Sequence, residues 1–213
     1  MATTFRMKSQ VWIYQEEDFG VAVGTELQKQ LHDRVLSYPR DAASIDGMLR
    51  SLNRSDIFIF ISPRPRDAAC RVINAGCCKI GCTFLPVIVD TESLIVGPLV
   101  QVPGTPCWEC WNTRERANYH FADQRAALRN YYDQESCKSP IGYMPYLVGV
   151  AAGKLAGVLN NSRLFKEQLG RSWAINLWTR EISQAAFVGR HACPHCGVHD
   201  LDGTIGLLFR YCR

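Results

Sequence analysis

Several signals that commonly mark function are missing from this 213-residue sequence. No G-x-G-x-x-G follows the first strand-like run, and no Walker loop, G-x-S-x-G or H-E-x-x-H occurs. The usual dinucleotide, serine-hydrolase and zinc-protease signatures are thereby excluded. Long apolar runs are missing too: the most apolar late stretch, YLVGVAAGKLAGVL, is short and holds Lys154, so it does not read as a bilayer span. The opening MATTFRMKSQ has no apolar centre of the kind a signal peptide carries. A cytoplasmic location without membrane attachment is the expectation. Charge of one sign is scarce: residues 1–106 carry 11 Lys/Arg against 11 Asp/Glu, and residues 107–213 carry 13 against 9, giving the net +4. A nucleic-acid binder shows a dense basic stripe. None is present here.

What is present is ten cysteines and an ordinary 47% of hydrophobic residues, enough for one domain with a proper core. We expect an N-terminal tail over residues 1–10 and a single α/β domain over 11–213. VWIYQ reads as a strand. EEDFGVAVGTELQKQLHDRVL reads as a turn and helix with apolar positions Val23, Leu27, Leu31 and Val35, which opens a βαβ unit. SIDGMLRSLNRS is helical, and DIFIFIS is a continuous apolar strand of the kind parallel sheets bury on both faces. RPRDAACRVINAGCCKI reads as a helix ended by Gly81, CTFLPVIVD as a strand, and SLIVGPLVQVPG as a β-pair. Residues 111–139 are polar, helical and exposed in this reading, a candidate partner surface without assigned contacts. GYMPYLVGVAAGKLAGVLNN is a buried helix whose Gly149, Gly153 and Gly157 let a neighbour lie close. SWAINLWTREISQAAFV alternates as an antiparallel hairpin with its bend near TRE.

Two Cys-x-x-Cys pairs stand more than eighty residues apart, CWEC at 107–110 and CPHC at 193–196. In a reducing compartment they do not suggest a disulfide scaffold. Each pair points two thiolates at one spot, and tetrahedral zinc wants four ligands. Cys107, Cys110, Cys193 and Cys196 are therefore the expected ligands of one zinc per chain. His191, His195 and His199 crowd the second pair as substitutes. A redox role for either pair calls for a helix N-terminus after a strand, which Pro-Gly-rich surroundings fit less well. Four thiolates leave no open position, so such a zinc is structural, with no catalytic duty. Cys70, Cys77, Cys78, Cys82, Cys137 and Cys212 read as small buried thiols.

INAGCCKIGCTFLPVIVDTESLIVGPLVQVPGTPCWEC, followed by a Gly-rich helix, a hairpin and CPHCG, resembles the ThiF-like, ubiquitin-activating-enzyme-type fold. In particular it resembles the branch found in cyclodehydratase complexes that form azoline and azole rings in ribosomal peptides. VGPLVQVPGTPCWEC carries most of that likeness, which covers roughly residues 11–200. The resemblance implies a degenerate Rossmann-like fold with a C-terminal β-hairpin closed by a four-cysteine zinc site. It also implies a YcaO-type partner that does the ATP chemistry, and a precursor peptide that this chain recognises and positions. A flavin-dependent dehydrogenase subunit and a homodimer are further compatible partners. The sequence departs from adenylating relatives at two places. Where a glycine-rich ATP loop belongs it reads QEEDFG, keeping Gly20 and Gly24 but placing carboxylates that repel pyrophosphate. The strand DIFIFIS is followed by PRPRD, and Asp67 comes late for the acidic residue such relatives carry. Many such subunits bear an N-terminal winged-helix leader-binding element; with only MATTFRMKSQ before the first strand, the expectation is that this element is either lacking or supplied by another subunit.

The expectation is a non-catalytic scaffold subunit without cofactor-binding residues of its own. The main competitor is a divergent adenylyltransferase acting on a peptide or carrier-protein C-terminus, with Arg64, Arg66, Arg114 and Arg116 as phosphate contacts, although solvated faces account for those charges as well. A zinc-dependent nucleic-acid binder is the third reading.

Overall fold

The computed structural model describes residues 9–31, 35–39, 44–118, 121–134 and 142–197; Cys137, Cys212 and His199 lie outside them, as does most of the expected N-terminal tail. The first half alternates strand and helix. β1 (Val11–Gln15) leads to α1 (Glu17–Leu31), β2 (Val35–Pro39) to α2 (Ile45–Ser51), β3 (Ile57–Ser62) to α3 (Asp67–Ile80), and β4 (Thr83–Asp90) completes four parallel strands in the order β2-β1-β3-β4. β5 (Ser93–Val96) turns back antiparallel to β4, and β7 (Arg171–Asn176) and β8 (Ile182–Ala186) extend the sheet beyond it.

The alternation of the IFIFIS run decides why β3 lies in the middle. Ile57, Ile59 and Ile61 face one core with Val23, Leu27 and Leu31 of α1, while Phe58 and Phe60 face the other with Ile73 and Cys77 of α3. All six residues of β3 are buried, and its one polar side chain, Ser62, is accommodated by donating to Glu16. The first core is covered by α1, α6 (Tyr146–Asn160) and α7 (Ser162–Gln168); the second by α2, α3 and α4 (Trp108–Ala117). Gly81 ends α3 in the left-handed conformation, φ +82°, its N–H donating to the Cys77 carbonyl at 2.8 Å.

Four expectations change. Val35 begins β2 instead of continuing α1. SLIVGPLVQVPG is no mutual β-pair: β5 and β6 (Val100–Gln101) both run along β4, one after the other on the same edge. The glycines of α6 do not seat a neighbour among the described residues, since a Cβ at Gly149, Gly153 or Gly157 would meet nothing within 4 Å. They form the outer face of a helix whose other face, with Leu147, Ala151, Ala152 and Leu155, is buried. The polar segment after the first cysteine pair is two helices, α4 and α5 (Ala122–Gln134), and is not merely solvated: Arg129 of α5 is buried.

Candidate metal centre

Cys107 caps the N-terminus of α4 with extended backbone, φ −84° and ψ 170°, and its carbonyl accepts from Cys110 N at 3.1 Å. Cys110 therefore lies one turn into the helix, on the same side. The buried Asn74 of α3 holds this end in place, its Oδ1 accepting from Trp108 N at 2.9 Å and so satisfying one of the orphan donors of α4. The second pair follows β8, where Gly197 N donates back to the Cys193 carbonyl at 3.1 Å. Arg114 of α4 reaches across to the connecting backbone, donating from Nε to the Val188 carbonyl at 2.7 Å and from Nη2 to the Gly189 carbonyl at 3.2 Å.

These restraints bring all four expected sulfurs within 4.8 Å of one another. Cys107 and Cys110 are 3.8 Å apart, Cys107 and Cys193 3.6 Å, and Cys110 and Cys196 3.7 Å. Such separations exclude disulfides, whose sulfurs stand about 2.05 Å apart. They match the edge of a tetrahedron with metal–sulfur bonds of about 2.3 Å, which is about 3.8 Å. Cys107, Cys110 and Cys193 are fully buried, and Arg190 N donates to Cys110 Sγ at 3.2 Å, the kind of second contact that orients a thiolate ligand. The sulfurs of Cys107 and Cys196, and then burial, push the Cys110 thiol far above its ordinary range. A divalent cation would remove that penalty by holding the thiolates ionised. The donor set thus fits zinc, which would be held by four thiolates and serve as a structural crosslink. Neither His191 nor His195 joins the cluster.

The CWEC pair does stand at a helix N-terminus, but residues 102–107 separate that helix from the preceding strand. What decides is convergence: the second pair arrives beside the first. Cys70, Cys77 and Cys82 are buried in the core on this side of the sheet, and Cys78 is half-buried; none joins the four.

The carboxyl ends of β1 and β3 form the topological switch point, where open α/β sheets bind their ligands. Here that place is filled by the chain's own charges. Glu16, 2% exposed, accepts from Ser62 Oγ at 2.9 Å and lies 3.6 Å from Arg66. Arg64, expected on a solvated loop, is buried and pairs with Glu17 at 2.9 Å, its guanidinium 5.8 Å from the Tyr132 ring centroid. α5 closes the crevice from outside, since Asp133 accepts from Ala68 N at 3.0 Å and lies 3.8 Å from Arg66. The turn itself is tight, and a Cβ on Gly20 would stand 3.1 Å from the Ile61 carbonyl oxygen. Asp67 opens α3 and faces Arg129, which donates to Asp90 at 2.6 Å, Glu115 at 3.1 Å and Asn112 at 3.1 Å. Arg64 and Arg66 thus form ion pairs with carboxylates of the same chain, and Arg114 hydrogen-bonds backbone carbonyls. Sequence reasoning missed Asn74, Arg129 and the bracing role of Arg114; nothing in their local patterns sets them apart.

Fold and centre together define a Rossmann-like α/β protein with a closed four-cysteine cluster. Solved structures share this fold. The microcin synthetase complex McbBCD of E. coli, solved also with pro-MccB17 bound, matches with TM-score 0.64 and 13% identity over 91% of this chain and 70% of that one. The heterocyclase TruD matches with TM-score 0.62 and 14% identity over 90% of this chain, which spans only 28% of the TruD chain. MccB of E. coli, solved with AMPCPP and MccA, matches with TM-score 0.59 and 14% identity over 90% of this chain and 67% of that one. No family model and no curated protein matches the sequence. Among the described residues no helix is long and apolar enough to cross a membrane.

Proposed function

We propose that this chain is a non-catalytic, zinc-stapled subunit of a peptide heterocyclase, presenting a precursor peptide to a YcaO-type partner that carries out the ATP-dependent ring closure. The observation that carries the proposal is the charged switch point: Glu16 and Glu17 follow β1 directly, at the turn where a phosphate-binding loop would stand, and Arg64 and Arg66 form ion pairs with those carboxylates. Likeness in fold to TruD and McbBCD supports the heterocyclase class. Cys107, Cys110, Cys193 and Cys196 hold one zinc, which ties the C-terminal hairpin to α4 and leaves no coordination position for water or substrate. In this reading residues 11–213 act as one unit, and a flavin-dependent dehydrogenase completes the azole where the product is aromatic.

Co-expression with a YcaO-type protein is the direct test. The expected result is a stable complex that removes one water from the precursor for each ring formed. A zinc-loaded, monodisperse chain that never associates with such a protein would sink the assignment. The second reading, an adenylyltransferase, draws on the likeness to MccB solved with AMPCPP. ATP–pyrophosphate exchange by the isolated chain, abolished by Arg64→Ala, would favour it over the scaffold.

A further inference from the structure

β8 is the last strand of the sheet, with no strand beyond it among the described residues. All five of its residues are exposed. Natural sheet edges are usually blunted by charge, proline, a bulge or a covering segment. ISQAA carries neither charge nor proline, and its register with β7 runs without a bulge from Ile182 to Ala186. Asn176 N donates to the Glu181 carbonyl and Phe187 N to the Gly170 carbonyl. Antiparallel alternation then turns the backbone groups of Ser183 and Ala185 toward β7. Ile182, Gln184 and Ala186 are left with N–H and C=O directed away from the sheet.

Both ends of this edge are fixed. Asn176 Oδ1 accepts from Trp178 N and Thr179 N at 2.9 Å in the hairpin turn, and Arg114 holds the carbonyls of Val188 and Gly189 at the other end. Flanking the edge, Ile182 is 64% and Trp178 75% exposed. Ile182 lies opposite Ile175, on the sheet face that packs against α6.

We propose that β8 is a docking edge for an extended peptide segment, which adds to the sheet as a further strand. The backbone of Ile182, Gln184 and Ala186 would supply affinity, and an apolar peptide side chain against Ile182 would supply preference. A second copy of this chain is the weaker occupant. A five-residue strand spans only about 17 Å. Self-pairing along it would bury far less than the ~800 Å² per partner of a standard interface. The peptide must be extended, free of proline where it faces Gln184, and need carry no particular charge. Identifying that peptide with the precursor rests on the heterocyclase reading; the edge itself does not.

The probe is a fluorescein-labelled octapeptide, Lys-Thr-Val-Thr-Val-Thr-Val-Lys, titrated into the full zinc-loaded chain. Saturable anisotropy is expected, with slowed amide exchange at Ile182, Gln184 and Ala186. The same peptide N-methylated at alternate residues should bind at least tenfold more weakly. Gln184→Pro removes an outward N–H and no ladder bond, a position where edge strands tolerate proline. It should lower affinity at least tenfold with zinc content and melting temperature unchanged, while Gln184→Ala binds as wild type does. If Gln184→Pro does not fold, the N-methylated peptide still decides. No binding to wild type, equal binding of the N-methylated peptide, or slowed exchange confined to α5 would each overturn the proposal. So would a dimer dispersed by Gln184→Pro, which makes a second copy the occupant. No synthetase partner enters this experiment. A chain that binds the probe yet never joins a YcaO-type protein removes the heterocyclase assignment and leaves the docking edge standing.

Discussion

Arg129 shows what one side chain can contribute when it is the cation among buried carboxylates. Burial works against its charge, but Glu115, Asp90 and Asp67 more than offset this and hold the guanidinium's pKa above its ordinary value. It joins α5 to β4, α3 and α4 through a single forked group. Arg129→Met would leave Asp67 and Asp90 buried without their cation, and a loss of about 3–5 kcal/mol is expected from the urea midpoint. A loss below about 1 kcal/mol would show that water reaches these carboxylates after a small opening. Asp133 differs in sign. Burial raises its carboxyl above the ordinary value, against the pull of the Ala68 N–H. The folded chain therefore holds this proton more tightly than the unfolded one. The group favours the fold at low pH, and that contribution is lost as pH rises through the folded-state value. Asp133→Asn keeps an oxygen for Ala68, so it should be at least as stable as wild type near pH ~7, with the gap closing by about pH 4. Thermal melts at the two pH values check this, and a variant less stable at neutral pH would show that the Arg66 pair outweighs burial.

At the scale of elements, local chemistry predicts well where a helix or strand answers only to itself. α3 ends at Gly81 in the left-handed conformation, φ +82°, which glycine adopts without the penalty a Cβ would carry. Gly81→Ala should cost about 1–2 kcal/mol in chemical denaturation, with no change in metal content. A change well below that would mean the cap relaxes out of the left-handed conformation. α5 is the opposite case. Only Arg129 is buried along its thirteen residues, so its place depends on ion pairs and the Ala68 hydrogen bond more than on apolar area. Period alone marks such a helix as solvated. Partners supplied by α3, α4 and β4 make it the cover of the switch point.

For the whole molecule, the four cysteines bring the segment after the last hairpin beside α4. β7 is held by β5 along one side, whereas the link from β8 to the second cysteine pair is held by Arg114 and by Arg190 N on Cys110, and ends at the four clustered sulfurs. Treatment of the zinc-loaded chain with a chelator should speed amide exchange at Arg190, Gly197 and along β8, while β1, β3 and β4 stay protected. Uniform loss of protection would show instead that the metal supports the entire fold, as it does in small zinc modules. Unchanged exchange with zinc removed would show that the crosslink is dispensable.

The sequence by itself determined β1, β3 and β4 and the helices α1 and α3 of the parallel half, because the IFIFIS run, Val23-Leu27-Leu31 and the glycine after Ile80 each carry the period or punctuation of one element; β2 was hidden because its first residue, Val35, continues the apolar helical pattern of α1. It also determined which four cysteines could meet, since Cys-x-x-Cys places two sulfurs on one side of a turn whatever the surroundings. Tertiary structure alone decided that the two pairs do meet, because that depends on a hairpin carrying Cys193 back across the sheet to α4. It alone decided that Arg64, Arg66 and Arg129 are spent on internal carboxylates, for charges far apart in sequence reveal no partner until the chain folds. The unguarded edge at β8 belongs to the same class: ISQAA reads as a strand, but only sheet order shows that no strand among the described residues lies beyond it.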